Sequence, residues 1–277
     1  MVLEALAYGF MQKALIAGAA VAVTCSLVGM FLVLRRYSLF GDGISHVAFG
    51  GVAAGLFLGV FPLWGAYAAS ILGGLSLQRL RSSSIPGDAA VAVVLVSGLA
   101  AGVILVSASG GFSADLFSFL FGSILLVSIE DVVVTVAASA GVAGAILALR
   151  GQLLHISFSE EQARISGINV TLLNYLFVAL AAVAVVTSMR LVGILLISAL
   201  VVVPSVTAML FGRGFGITLV ISASVSVFSV VLGILLSYYA SLAPSGTIVA
   251  VAVVFLAGVI GARSAGLLPG GRSGLRS

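Results

Sequence analysis

Apolar runs of roughly twenty residues, broken by short polar punctuation, organise this chain. They fall at 14–34, 38–59, 62–80, 89–107, 131–149, 171–189, 191–211, 215–239 and 245–262. About 20 apolar residues of helix cross the hydrocarbon core of a bilayer, so each run predicts a transmembrane helix. Arg35 and Arg36 end the first run, and Phe61-Pro62 separates the second from the third. Arg79, Arg81 and the polar stretch 82–88 follow the third, and Gly110-Gly111 follows the fourth. Arg213, Pro244-Ser245-Gly246 and Arg263 close the last three. Residues 113–127 are apolar but short, and Asp115 interrupts them, which predicts an external short helix or a re-entrant segment.

Composition strengthens the membrane reading. Hydrophobic residues make up 62% of the 277 and charged ones 7%, against about 25% charged in a soluble domain. Mean hydropathy is +1.35. The expected fold is all-α: a polytopic bundle of about nine spans in one domain, 1–277, with a flexible tail over 264–277 and no sizeable soluble part. The 34 glycines suit close helix packing in lipid. A single cysteine, Cys25, excludes an internal disulfide and reads as a small buried hydrophobe. The N-terminus has no basic stretch before its first span, so no cleaved signal is expected.

Charge sets the orientation. With the N-terminus outside, Arg35, Arg36, Arg79, Arg81, Arg150, Arg164, Arg213, Arg263, Arg272 and Arg276 all fall inside. Only Lys13 and Arg190 fall outside, as the positive-inside rule requires.

The segment GDGISH (41–46) carries the candidate chemistry. Asp42 and His46 stand four apart, on one face of a helix, inside an apolar run where an ionisable group marks an ion or substrate path. A carboxylate and an imidazole can share a divalent cation; they can also simply tie two spans together. Gly51, Gly55 and Gly59 repeat every four residues and suit close backbone contact. The one sizeable polar loop, 150–170, predicts a short amphipathic helix over Ser159–Ser166, with Ser159 as N-cap and Gly167 as stop. His155 opens that loop as a solvated or capping residue. Glu130 and Asp131 are read as caps of the following helix or an external cation-attracting pair, Asp88 as an N-cap, and Arg190 as an anchor at a tight external turn. No phosphate loop, zinc-protease motif or nucleophile elbow is present, so no catalytic site is expected.

Five ordered segments resemble the permease subunits of ABC-type zinc and manganese importers. They are VLRRYSLFGDGISHVAFGGVAAG (33–55), DLFSFLFGSILLVSIEDV (115–132), SFSEEQARISGINV (157–170), MRLVGILLISALVVVPSVTA (189–208) and LSYYASLAPSGTIVAV (236–251). Gly43 and Ser205-Val206 depart from the family's usual alanines. The resemblance, over about 10–262, implies a bundle similar to the cobalamin and siderophore importer permeases. It also implies a homodimeric pore in the cell (plasma or inner) membrane, cytoplasmic ABC ATPase subunits that hydrolyse ATP, and an external metal-binding receptor. Asp42 and His46 would contact the transported Zn2+ or Mn2+, and no permanently bound cofactor or nucleic acid is implied. The cobalamin-type loop pattern E-x-A-x-x-x-G falls on Glu161, Ala163 and Gly167, so Glu160, Glu161, Ala163, Arg164 and Gly167 would form the coupling helix, about 157–168, that meets the ATPase. Two other readings remain: a proton-driven secondary metal transporter, and an ABC permease for a metal chelate or cobalamin-like cargo.

Overall fold

The computed structural model describes residues 8–83, 85–109, 114–122, 128–194 and 197–266. Among them the only regular elements are helices: α1 (Gly9–Leu34), α2 (Phe40–Phe57), α3 (Pro62–Arg81), α4 (Gly87–Ala108), α5 (Ala114–Phe121), α6 (Ile129–Phe158), α7 (Glu160–Ile165), α8 (Val170–Val192), α9 (Ile197–Met209), α10 (Phe215–Ala240) and α11 (Pro244–Ser264). Six of these are long and apolar enough to cross a membrane: α1, α4, α6, α8, α10 and α11. That corrects the expected nine. The 18-residue α2 carries Asp42 and His46. Trp64, Tyr67, Gln78, Arg79 and Arg81 dilute α3, and α9 has only 13 residues.

Burial divides the bundle into an inner and an outer set. In α1, 72% of the most apolar stretch is buried, and in α8 61%, against 22% in α6 and 28% in α11. Helix α1 packs against α6, α8, α9 and α10. Its Phe31 meets Phe177 of α8 edge-on, with ring centroids 6.2 Å apart. Lipid is as apolar as leucine, so such helices associate through packing and polar contacts rather than exclusion from water.

Helix α2 lies between α3 and α4, and glycine makes both approaches possible. A Cβ on Gly51 would strike the Gly65 carbonyl oxygen of α3, and one on Gly65 the Gly51 carbonyl oxygen. On the other side a Cβ on Gly50 would stand 2.8 Å from the Gly98 carbonyl oxygen of α4. Gly55 also abuts α3, whereas Gly59, with φ +70°, forms the turn after α2, where a Cβ would meet nothing within 4 Å among the described residues.

Several boundaries differ from expectation. Residues 150–158 continue α6 instead of starting a loop, because Leu153 and Ile156 are buried while Arg150, Gln152 and His155 face outward. Arg190 is helical, and the turn falls at Gly193, φ +78°. Asp88 lies within the first turn of α4, with Pro86 at the N-cap; its charge there complements the helix dipole. Ser128 caps α6 by accepting from the Asp131 N–H at 3.1 Å, while Asp131 Oδ2 accepts from the Ser128 N–H at 3.0 Å. The 113–127 segment is helical over α5, which packs against α8 and α2; residues 113 and 123–127, and the tail from 267 onward, lie outside the described residues.

Candidate functional site

Asp42 falls in the first turn of α2, where unpaired backbone N–H groups favour a carboxylate. Ser198, in the first turn of α9, donates its hydroxyl to Asp42 Oδ1 at 2.8 Å. The contact is close because Gly41 has no side chain: a Cβ there would stand 3.0 Å from Ser198 Oγ. His46 follows one turn later, and both residues are half-buried. Its imidazole makes no hydrogen bond to the described residues. No third His, Cys, Asp or Glu joins them among the described residues, so one chain offers two strong donors, with Asp42 Oδ1 already steadied by a hydroxyl. Ser198 was not visible as a site residue in sequence. The signal available was a hydroxyl opening an apolar helix, where a buried polar group needs a partner.

The residues expected to couple to an ATPase form a second constellation. Ser159 caps α7, accepting from the Gln162 N–H at 3.3 Å. The helix ends where Gly167 takes φ +81°, its N–H donating to Arg164 O at 3.0 Å and that of Ile168 to Ala163 O at 3.1 Å. This is a Schellman ending, which needs the left-handed backbone glycine adopts easily. Ala163 is buried against Ile156, Val170 and Leu173. Glu161 and Arg164 are exposed. Glu160 turns back toward the bundle, its Oε1 accepting from Asn174 Nδ2 of α8 at 3.1 Å.

Asn174 is buried and in turn accepts on Oδ1 from Arg35 Nη1 at 2.9 Å. Arg35 caps the end of α1, donating Nε to Ser157 Oγ (3.1 Å) and Nη2 to Leu153 O (3.4 Å). Its guanidinium lies 4.7 Å from the Phe177 ring centre. Burial lowers the Arg35 pKa to about 10, partly opposed by Glu160, so the group stays charged at neutral pH. A polar cavity of about 370 Å³ opens beside this network, lined by Tyr37, Arg81, Glu160, Arg164 and Tyr175 among others. At the other ends of α3 and α8 a smaller cavity, about 140 Å³, is lined by Trp64, Tyr67, Glu130, Asp131 and Thr187. Basic residues thus gather at one end of the bundle and an acidic pair at the other.

The chain belongs to the ABC 3 transport family, whose model matches residues 7–262, and is a multi-pass permease subunit of the plasma membrane. It is 38% identical over 256 residues to a "Probable metal transport system membrane protein" of Treponema pallidum (strain Nichols), covering 92% of this chain and 96% of that one. It is 34% identical over 249 residues to the manganese import system permease protein ScaB of Streptococcus parasanguinis, covering 90% and 89%. Among solved structures it is similar to PsaBC from Streptococcus pneumoniae in complex with Fab, with a TM-score of 0.84, 32% identity and 94% of each chain covered.

Proposed function

We propose that this chain forms the membrane pathway of an ATP-driven importer for a bare divalent metal ion, with Mn2+ or Zn2+ as cargo. The observation that carries the reading is the Asp42–His46 pair, half-buried one turn apart on α2, with Asp42 held from α9. Asp42 supplies negative charge that replaces part of the ion's hydration, and neutral His46 supplies a nitrogen donor. Two donors leave a coordination shell open. A second copy of the chain across a homodimer axis, or water, completes it. An incomplete cage suits transport, where binding must be weak enough to release. A bulky chelate would not need the pair, and membership of an ABC family argues against a proton-driven carrier.

Energy enters from separate ATPase subunits, since the sequence has no phosphate loop. Exposed Glu161 and Arg164 on α7 are the groups offered to such a subunit, and an external receptor delivers the ion to the acidic end. The test is uptake by the complex reconstituted in vesicles with its ATPase and receptor. Asp42→Asn/His46→Gln keeps shape and polarity and is expected to abolish uptake while ATPase stimulation persists. Uptake at the parent rate in that double variant overturns the reading.

A further inference from the structure

We infer that Arg35 and Asn174 are positioning residues that link α7 mechanically to the helix carrying Asp42 and His46. The inference rests on the function proposed above for its context and on geometry for its substance. From Glu160, the first residue of α7, an unbroken hydrogen-bonded path runs through Asn174 (3.1 Å) to Arg35 (2.9 Å). Arg35 closes the path onto α6 through Ser157 and Leu153. It stands seven positions before Asp42 in the chain.

The corner between them is firmly held. Arg36 adopts the left-handed conformation, φ +58°. The Tyr37 N–H donates to Leu32 O at 2.8 Å, and the Phe40 N–H to Tyr37 O at 2.9 Å. The Tyr37 hydroxyl donates to Gln78 Oε1 at 3.3 Å, and the Arg81 guanidinium stacks on its ring, 3.2 Å from the centre. A stiff corner transmits displacement instead of absorbing it, because packed elements shift as units. When a partner moves α7, Glu160 pulls on Asn174, Asn174 on Arg35, and Arg35 on the start of α2. The path is charged at both ends and neutral in the middle. Asn174 donates to the carboxylate and accepts from the guanidinium, a pairing an amide can make and neither an ionised carboxylate nor a Lys or Arg cation can.

Two readouts test this in the complex with its ATPase and receptor: Mn2+ delivered per ATP hydrolysed, and the ATP-dependent change in distance between spin labels at Ser38, in the corner, and exposed Ser264, at the end of α11, which none of these hydrogen bonds reaches. Asn174→Asp keeps a partner for Arg35 but repels Glu160. Asn174→Asp and Glu160→Ala are each expected to lower Mn2+ per ATP well below the parent ratio. The label response to ATP should vanish, with Mn2+ affinity and melting temperature held. The double variant Asn174→Asp/Glu160→Lys, which restores an attractive pair, should recover both readouts. An unchanged ratio and label response in the single variants overturns the inference. So does a parallel fall of transport, ATPase activity and melting temperature, which marks a merely structural role. A parent complex whose labels move with ATP through Asn174 yet carries no divalent ion sinks the proposed function and leaves the linkage standing.

Discussion

Replacing Ser198 with alanine removes one hydroxyl and leaves α9 otherwise intact, alanine being the better helix former. The lost contact is the 2.8 Å bond to Asp42 Oδ1, short because its acceptor is a carboxylate. Bonds to charged groups contribute about 1.5–3 kcal/mol. At about 1.4 kcal/mol per factor of ten, that corresponds to a roughly ten- to hundredfold loss of ion affinity. The same range is typical when a group that orients a metal ligand is removed. Titration calorimetry of Mn2+ or Zn2+ into the purified chain measures it. The effect should nearly disappear in an Asp42→Asn background, because a neutral amide gains less from the hydroxyl. Unchanged affinity in Ser198→Ala would show the bond to be idle. Tighter binding would show that the hydroxyl competes with the ion instead of preparing the carboxylate for it. Either result refutes the positioning role.

Two further outcomes test the frame around the site. Gly51→Val drives a branched side chain into the Gly65 backbone, an overpacking that costs about 1–3 kcal/mol; the melting temperature in detergent should drop by several degrees, and a parent-like value would contradict the close contact. A cysteine at Ser159, before α7, should react with an impermeant maleimide in inverted vesicles but not in intact cells; labelling of intact cells would reverse the orientation drawn from arginine placement.

Local chemistry was legible in the chain, and long-range pairing was not. Helix α7 could be bounded almost to the residue, because Ser159 and Gly167 act on backbone groups within a few positions of themselves. The cap of α6 by Asp131 was legible for the same reason. The extension of α6 through 150–158 was missed because its arginine, glutamine and histidine look like loop, and only burial of Leu153 and Ile156 shows a helix with one dry face. Asp42 and His46 stood out as ionisable groups in an apolar run. Their support did not: Ser198 lies 156 positions from Asp42, and Asn174 lies 139 from Arg35. A lone serine or asparagine near the start of an apolar helix asks for a partner without saying which.

The way α2 is seated bears on how such proteins diverge. Its contacts with α3 and α4 run through Gly51, Gly65, Gly50 and Gly98, main chain against main chain. Neither of the proposed ion donors, Asp42 and His46, is among the groups that meet at those glycines. If the proposed site holds, a lineage can exchange the residues at 42 and 46, and with them its preferred ion, while inheriting the joint unchanged. Change at positions 42 and 46 and change at the four glycines, two on α2 and one each on α3 and α4, would carry separate costs.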